Sequence, residues 1–563
     1  MLFLVNLMPF FMPIAVVADN DRDDFAEAVA LLCGAGSEEE IDEDILESYS
    51  RLARHPLHLN TASHRTVAAS GLLTPYQAAS FYDYRSRNGD VLSFSELGAI
   101  NGFGEPFARA LSHFVVLDSD KAPGAAEAQP KADSEVIVRS TMKAETGGGG
   151  DYAYGTKLRV TYGDDFSLGV TSKRPYGADG LFPQSVNASV LLTKRNLILV
   201  LGDFNARFGQ GLVWRSGFGL AGFGSVAAFY VNPTGLSPAW SYSSPGRGGG
   251  LCVSMGRMEL TTAMKLAGNE VMPLINASVF LPVGQLGLTM TKEAVSLDTR
   301  FCTGRVDWFG EAAYGIQNRS PALISGLVFN PEYGKKLGLR FRCYPSAYKV
   351  STASAGGATA RSSDEIGATI GYEAADFIMT LDAMERPSDR SRQYRAVLSY
   401  IFSSEGPWTL SLRAVERFKP ESELPFKTDL RAQLGYTSGR WQHALRVNAL
   451  TCRYAGYLGY YEAGWTDSRQ KFELKTFGRM ALFDIDHWDD RIYVYERDAP
   501  GNFSSRAFCG RGWNAQVYAG ITYRTHNWKR FSLYAKAMIQ DCTREEPHDR
   551  RMVELRLQAV ARF

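Results

Sequence analysis

Cysteine and histidine are scarce in this chain, and their spacing excludes several kinds of site. The 7 Cys and 8 His residues are scattered over 563 positions. No Cys-x-x-Cys pair occurs, which excludes a zinc ribbon and argues against a disulfide-stabilised scaffold. No His-Glu-x-x-His motif and no Gly-x-Ser-x-Gly elbow is present. The sequence therefore predicts no metal site, no cofactor and no catalytic residues, and hence a protein that is not an enzyme.

Long apolar runs are also missing. Beyond the first residues, no run reaches the length of about 18 apolar residues that a membrane-spanning helix needs. The mean hydropathy of −0.18 agrees with this, and the two observations exclude a polytopic helical membrane protein. A β-barrel in lipid is compatible with both, because each of its strands is apolar on one face only.

The first 18 residues differ from the rest of the chain. Met1–Ala18 is apolar and ends in Val16-Val17-Ala18, a small-residue cleavage pattern, which predicts a signal peptide that is removed on export. The alternative is a retained membrane anchor, but the segment is short and is interrupted by Pro9 and Pro13. No Cys follows the cleavage site, which argues against a lipid anchor there.

Charge divides the mature chain into two parts. Residues 19–118 hold 17 Asp or Glu and 7 Arg but no Lys, whereas residues 119–563 hold 54 basic and 43 acidic side chains. Most of the acidic residues fall in 19–54, where apolar side chains recur at helical spacing, so this segment is predicted to be an acidic helical lead. The two parts are suited to different surroundings.

Residues 55–118 predict a compact module of short helices. Asn60 is placed to cap a helix over 61–70, and Thr74-Pro75 provides the cap and first turn of the next helix. Ser93-Phe94-Ser95-Glu96 has the pattern of a capping box at the start of a third helix.

Five short motifs follow one another in this module: Leu59-Asn60-Thr61-Ala62-Ser63, Gly71-Leu72-Leu73, Tyr84-Arg85-Ser86-Arg87-Asn88-Gly89, Phe94-Ser95-Glu96-Leu97 and Asn101-Gly102-Phe103-Gly104. In their order and spacing they resemble the tandem helix-hairpin-helix fold of periplasmic competence DNA receptors. The order of an acidic helical lead, this module and a barrel further resembles a group of Bacteroidetes outer-membrane proteins that carry a helix-hairpin-helix domain.

DNA binding by the module is disfavoured. In DNA-binding members of the fold, the hairpin offers backbone N–H groups to a phosphate. Here Glu105 follows Gly102-Phe103-Gly104, and Gly71-Leu72-Leu73 has lost the second Gly of the first hairpin. Phosphate affinity also depends on several cationic contacts, which this acidic region lacks. The module is instead expected to dock another protein, through Gly71, Leu73, Tyr82, Arg85, Arg87, Gly102 and Gly104.

The periodicity changes after a polar, Ala/Pro/Gly-rich linker at residues 119–133. From residue 134 to residue 563, apolar and polar residues alternate, as in 513–523 and 531–539. About 18 to 24 segments of about ten alternating residues follow one another. Ten residues is the strand length expected in a transmembrane β-barrel, and an uninterrupted series of this size is expected for a large one. Alternation alone would also fit a soluble β-sandwich, but not in so long an uninterrupted series.

Two further features favour a barrel in lipid. Aromatic side chains lie at predicted strand ends, where interfacial girdles form. The chain also ends in an alternating segment with the terminal residue Phe563, which resembles the closing-strand signal of bacterial outer-membrane barrels. The girdle residues are Trp408, Trp441, Trp465, Trp513, Tyr523 and Trp528.

One stretch, residues 216–250, is long for a barrel turn and lacks periodicity. It holds apolar side chains that need a wall to pack on, so we expect it to fold into the lumen as a plug or constriction rather than to remain a plain extracellular loop. The residues expected to pack there are Phe218, Phe223, Phe229, Tyr230 and Trp240.

Several polar-face positions of the strands are cationic. They line either a lumen that favours anions or an inert interior in which they pair with Glu416, Glu462, Glu473 and Glu554. The pattern leaves both alternatives open. The cationic candidates are Arg340, Arg342, Arg413, Arg431, Arg524 and Arg556.

The segment Asp484–Asp490 holds four carboxylates and His487. Oxygen ligands at this density could bind a divalent cation or serve an enzyme site in the extracellular loops. However, the segment lacks the turn glycine and the distal Glu of an EF-hand loop, so a solvated loop is the preferred interpretation.

Together these patterns predict an all-α helix-hairpin-helix module followed by a large antiparallel outer-membrane β-barrel. The module is expected in the periplasm, where it would dock another periplasmic or outer-membrane protein, as a component of an assembly, secretion or transport complex. The alternatives are a DNA-uptake protein and an autonomous, anion-leaning channel. Outer-membrane lipid and the assembly machinery that inserts barrels are the other expected partners; nucleic acid is not expected.

Overall fold

The computed structural model describes residues 25–563 apart from 36–40, 42, 55, 120–131, 147–148, 164, 218–221, 243–245, 282, 332–333, 358–361, 404–405, 503, 526–528 and 544–549. The predicted signal peptide and most of the predicted linker lie outside the described residues. So do Phe218 of the predicted plug and Trp528 of the predicted girdle.

Six α-helices precede the strands of the barrel, and a side-chain cap begins three of them. The Ser63 side chain accepts the N–H of Thr66 at the start of α3. Thr74 and Gln77 form a capping box at the start of α4, with Pro75 in its first turn. The helices are α1 (Phe25–Cys33), α2 (Glu43–Arg54), α3 (His64–Ser70), α4 (Pro75–Asn88), α5 (Phe94–Ala99) and α6 (Glu105–Leu111).

The predicted cap at Asn60 is wrong, because α3 begins at His64 with Ser63 as its N-cap. Asn60 is fully buried instead. Its amide nitrogen donates to the carbonyls of Val91 (2.9 Å) and Leu117 (3.2 Å), and its oxygen accepts from the N–H of Val91. The side chain thus satisfies buried backbone groups that would otherwise lack partners.

The helices share one apolar core and form a unit that we call the helical module, residues 25–118. A short parallel pair of strands, Leu57–His58 and Val115–Val116, joins its beginning to its end. No described helix is both long and apolar enough to cross a membrane. The innermost core side chains are Val29, Leu59, Val67, Phe81, Leu97, Leu111 and Phe114.

The rest of the chain forms one closed antiparallel barrel of 24 strands. The first twelve are β1 (Ala132–Glu145), β2 (Asp151–Tyr162), β3 (Phe166–Arg174), β4 (Ser185–Lys194), β5 (Leu197–Arg207), β6 (Arg247–Met255), β7 (Met258–Ala267), β8 (Glu270–Leu281), β9 (Gly284–Thr291), β10 (Ala294–Thr303), β11 (Val306–Gly315) and β12 (Ser320–Phe329). The others are β13 (Lys336–Tyr344), β14 (Glu365–Glu373), β15 (Phe377–Glu385), β16 (Arg392–Ser403), β17 (Trp408–Phe418), β18 (Phe426–Ser438), β19 (Trp441–Thr451), β20 (Ala455–Ser468), β21 (Phe472–Ile485), β22 (Gly510–Arg524), β23 (Arg530–Thr543) and β24 (Arg550–Arg562).

The barrel closes between its last and first strands. β24 pairs with β1, with Val560 opposite Ile137. The terminal Phe563 continues this pairing, since its N–H donates to the carbonyl of Ser134 (2.9 Å) and its ring lies 5.7 Å from that of Phe531. Closure leaves no unpaired strand edge, which is what a lipid environment requires.

Every strand presents one apolar face on the outside of the barrel. Large side chains at alternate positions are about 40 to 50 % exposed around the wall. These side chains form an apolar belt around the outside of the barrel. Because an apolar surface of this size would be costly in water, the belt faces lipid. Representative outward side chains are Leu323, Leu339, Ile370, Leu381, Leu398, Leu412, Leu430 and Leu445.

Aromatic pairs lie at both ends of the strands, above and below this belt. Trp408 and Tyr436 lie at one end, with ring centroids 4.5 Å apart. Phe418 and Phe426 stack at the other end, 4.6 Å apart. Two aromatic girdles are the arrangement expected at the two membrane interfaces.

The connections differ in length between the two ends of the barrel. At the end where β1 begins and β24 finishes, the turns are short, as at residues 195–196, 256–257 and 304–305. Three long connections leave the opposite end, at residues 208–246, 345–364 and 486–509. In outer-membrane barrels the short turns are periplasmic and the long connections extracellular.

Candidate functional site

The helical module packs against the lumen side of the barrel wall at the short-turn end. The N–H of Tyr76 in α4 donates to Asp307 of β11 (2.7 Å), and Arg65 pairs with Glu259 of β7 (3.3 Å). Asp307 and Glu259 alternate with outward-facing neighbours such as Trp308, so their side chains face the lumen. The module therefore fills part of the mouth of its own barrel.

A second contact joins α2 to the seam where the barrel closes. Arg54 lies 3.4 Å from Glu135 of β1, and Glu135 also binds Arg562 of β24. Glu47 of α2 accepts from Arg159 of β2 at 3.0 Å. Alternating charges thus run from the module across three strands of the wall.

Most of the predicted docking residues are occupied within the chain. The carbonyl of Gly71, whose φ is +69°, accepts from the amide of Asn232. Leu73, Gly102 and Gly104 are buried, and a Cβ at Gly104 would lie 3.7 Å from Gly334 of the barrel. The module therefore docks on its own barrel through part of the surface proposed for another protein.

The three remaining docking candidates have partners inside the module. Arg85 binds Asp90 (2.9 Å), Arg87 binds Asp83 (2.8 Å), and the Tyr82 hydroxyl donates to the carbonyl of Ala62 (3.1 Å). Pairing with nearby carboxylates reduces the attraction of these two Arg residues for a nucleic-acid phosphate.

Residues 208–246 are called the inner loop here, and their described part, 208–217, 222–242 and 246, folds into the lumen and reaches the helical module. A short 3-10 helix, Val226–Phe229, packs on β13 and β14, where a Cβ at Gly338 or Gly371 would collide with Phe229. Ser225 donates to the carbonyl of Gly34 in the module (3.4 Å). Four of the predicted plug residues pack against one another or against the barrel wall: Phe223 contacts Phe229, Tyr230 contacts Phe309, and Trp240 contacts Arg159.

The inner loop is fixed to the wall by a carboxylate that sequence analysis missed. Glu311 of β11 is almost fully buried and accepts the backbone N–H groups of Gln210 (2.6 Å) and Leu212 (3.1 Å). The Tyr348 hydroxyl donates to the carbonyl of Leu212 (2.7 Å). The sequence signal was present, because Glu311 is an acidic residue at a lumen-facing position of a strand otherwise rich in small side chains.

Two of the predicted lumen arginines hold these inward segments in place. Arg340 donates to the carbonyls of Phe229 (3.1 Å) and Ala355 (3.1 Å). Arg342 binds Asp382 through two hydrogen bonds (2.8 and 3.0 Å) and also binds Glu365. Both guanidinium groups are fully buried and are therefore structural.

Residues 486–509, which we call the inner hairpin, fold against the opposite side of the lumen. Their strands Ile492–Tyr495 and Ser505–Phe508 pair with each other. Glu496 binds Lys536 of β23 (2.6 Å) and Arg506, while Asp498 and Glu554 bind the predicted lumen residue Arg556.

Of the three other carboxylates predicted to pair with lumen arginines, two do so and one faces the other side of the wall. Glu462 binds Arg479 (2.7 Å), and Glu473 binds the predicted lumen residue Arg524, so pairing occurs there. Glu416 faces the outer side of β17, on the same parity as Leu412, and does not face the lumen.

The remaining predicted arginines line a less filled part of the lumen. Arg413 of β17 lies opposite Arg431 of β18, and Ser399 of β16 lies opposite Arg413. All three are half-buried, unlike the buried lumen residues of β10 to β14. We call Ser399, Arg413, Arg431 and Gln433 the arginine strip, because they form a cationic band across three adjacent strands.

The tip of the inner loop reaches the edge of this strip. The carbonyl of Phe223 accepts from Thr380 of β15 (2.6 Å), and Gly222 contacts the guanidinium of Arg395 in β16. Arg395 lies opposite Arg417 of β17. The loop thus narrows the lumen beside cationic strands.

The acidic segment Asp484–Asp490 does not converge on one point. Asp490 accepts the backbone N–H groups of residues 452–454, and Asp484 binds Arg511 (2.9 Å). Asp489 lies 3.4 Å from Arg453. Among the described residues, no group of three or more His, Cys, Asp or Glu side chains is placed to hold a metal ion.

These observations define a transmembrane β-barrel of the outer-membrane type, with a lumen partly filled by its own helices and inward loops. No known protein-family model and no curated protein sequence matches the chain.

Solved barrels of Pseudomonas aeruginosa align with the chain at low similarity. OccK5 (OpdH) has 9% identity over 77% of this chain and 98% of its own, with a TM-score of 0.29. OccK2 (OpdF) has 11% identity over 77% and 97%, with a TM-score of 0.30. The outer-membrane protein OpdK has 10% identity over 77% and 99%, with a TM-score of 0.28.

Proposed function

We propose that the chain is a non-enzymatic outer-membrane channel that favours anions and is partly closed by its own helical module, inner loop and inner hairpin. The arginine strip is the observation that carries this proposal. Arg413 and Arg431 lie side by side and half-buried on neighbouring strands of the lumen wall, whereas Arg340 and Arg342 are fully buried. Two adjacent cations on a wall that water reaches raise the local concentration of anions.

Ion selectivity in planar lipid bilayers tests the proposal. In a KCl gradient, the purified chain should give a reversal potential of the sign set by chloride. The double variant Arg413→Glu and Arg431→Glu should lower the chloride-to-potassium permeability ratio severalfold, because it reverses the charge of the band. Arg390→Glu is a matched control, since Arg390 lies exposed in the turn after β15. A cation-selective wild type, or a double variant that behaves like the control, would refute the proposal.

We also propose that the described part of residues 55–118 is a tandem helix-hairpin-helix unit on the periplasmic side. The positive φ angles of Gly71, Gly102 and Gly104 support it, because they bend the chain between α3 and α4 and between α5 and α6. A role in docking another envelope protein has weaker support, since Gly71 and Gly104 already contact the inner loop and the barrel.

A further inference from the structure

A cavity lies where the helical module, the inner loop and the barrel wall meet. Its volume is about 140 Å³. The module contributes α2 and the end of α3, the inner loop contributes Tyr230 and Asn232, and β2 contributes Arg159. It lies among residues that the channel proposal does not use.

The lining of this cavity is strongly cationic. Arg51, Arg159, Arg207 and Arg215 all border it, and Glu47 is the only acidic residue among the lining residues described. Glu47 already accepts from Arg159 at 3.0 Å. Cationic side chains therefore outnumber acidic ones among the described residues that line the cavity.

The backbone holds two of these cations close together. Arg207, at the end of β5, and Arg215, in the inner loop, form an antiparallel bridge. Arg215 is oriented by a hydrogen bond from its Nη1 to the carbonyl of Ser354 (3.0 Å). The charge concentration is thus built by the fold and does not depend on mobile surface side chains.

Two nitrogen atoms of these guanidinium groups lack a hydrogen-bond partner among the described residues. The Nε of Arg207 and the Nη1 of Arg159 are buried without a hydrogen-bond partner there. Burial lowers the pKa of Arg51; Glu47 raises it, and the positive charge of Arg207 lowers it again. Like charges that are buried close together are costly, and a bound anion would reduce this cost.

We propose that this cavity binds a small tetrahedral oxyanion, phosphate or sulfate, between the helical module and the inner loop. The guanidinium groups of Arg51 and Arg207 supply charge and several N–H donors in forked geometry. The hydroxyls of Ser48 and Ser70 line the same space. A volume of about 140 Å³ is ample for one oxyanion, since a single water needs only about 10 to 15 Å³ of the same measure.

Equilibrium dialysis of the full chain in detergent with radiolabelled inorganic phosphate tests this site. In chloride buffer of constant ionic strength, one phosphate should bind per chain, and sulfate should compete with it. Arg207→Gln should weaken binding at least tenfold. Arg109→Gln is the matched control, because Arg109 is an exposed module residue paired with Glu105, and it should bind phosphate as the wild type does.

Arg51→Gln serves as a second variant on a different element, and it should also weaken binding at least tenfold. Heat-modifiable migration on gels establishes that each variant has a folded barrel. Absence of phosphate binding by the wild type would overturn the proposal. Equal binding by Arg207→Gln, Arg51→Gln and the control would also overturn it, by showing that phosphate binds elsewhere.

Discussion

At the scale of single residues, the lumen charges fall into two environments. Arg342 and Glu496 are almost fully buried, and each is held by two oppositely charged groups. Arg413 and Arg431 are half-buried and lie beside each other. The ion pairs of Glu496 fix the inner hairpin to the wall, and those of Arg342 join β13 to β14 and β15, whereas the half-buried Arg413 and Arg431 face the less filled lumen. Whether a lumen-facing charge is buried or half-buried therefore depends on whether an inward loop packs over it, and not on its position along the strand.

The buried carboxylate of Glu496 makes the inner hairpin sensitive to acid. Burial raises its pKa, but Lys536 and Arg506 lower it by more, to about 2. The unfolded value is about 4.3, so the folded pKa is depressed, and the carboxylate contributes about 3 kcal/mol that is fully present well above pH 4.3. This contribution is lost as the pH falls towards 2. We expect hydrogen exchange of residues 492–508, corrected for intrinsic rates, to accelerate over this range.

Glu496→Gln should remove that pH dependence and leave the hairpin poorly protected at neutral pH, because the amide cannot compensate Lys536 and Arg506. Glu105→Gln is the control, since Glu105 is exposed on the module and should leave the profile unchanged. A Glu496→Gln hairpin with the wild-type profile would show that other groups set the acid response.

At the scale of elements, the inner loop depends on two anchors, one at its beginning and one near its middle. Glu311 holds its beginning through the N–H groups of Gln210 and Leu212, and Arg340 holds the carbonyl of Phe229 farther along. A carboxylate that accepts several backbone N–H groups is a strong anchor, because each hydrogen bond involves a full charge.

Glu311→Gln is expected to release the start of the loop. The amide has one acceptor oxygen and brings N–H donors against backbone donors, which should cost about 1 to 3 kcal/mol locally. Amide exchange at residues 210–212 should therefore accelerate by about tenfold or more, since about 1.4 kcal/mol corresponds to a factor of ten. The control is Glu270→Gln, since Glu270 of β8 is exposed and pairs with Lys292 away from the loop. It should leave the amide exchange of residues 210–212 unchanged. Unchanged exchange in Glu311→Gln would assign the anchoring to Arg340 and Tyr348.

At the scale of the whole molecule, the barrel follows from sequence periodicity, and the filling of its lumen does not. Alternation specifies which face of each strand meets lipid, so a series of about 18 to 24 strands could be expected, and 24 are present. Because Trp240 and Phe229 are large and apolar, the sequence could predict that their loop packs against the barrel wall. Contacts such as Tyr76 with Asp307, 231 positions apart, leave no local pattern. The roles of Arg207 and Glu311 likewise arise only when distant segments meet.

The helical module is expected to act as a plug for the whole barrel. Its contacts with Glu135, Glu259 and Asp307 lie at the short-turn end of the lumen. Deletion of residues 25–118 should remove this obstruction and raise the single-channel conductance severalfold. The inner loop would still be held by Glu311 and Arg340, so the conductance should stay below that of an empty 24-strand barrel.

Ion selectivity, measured in the same experiment, distinguishes the effect of the helical module on conductance from the effect of the arginine strip on anion preference. The arginine strip lies on β16 to β18, away from the strands that the module contacts, so the deletion variant should keep its preference for anions while its conductance rises. Adding Arg413→Glu and Arg431→Glu to the deletion should then lower the preference without lowering the conductance to the wild-type level. An unchanged conductance after deletion would place the limiting constriction in the inner loop and inner hairpin. The helical module would then serve the barrel as a structural wedge and not as its gate.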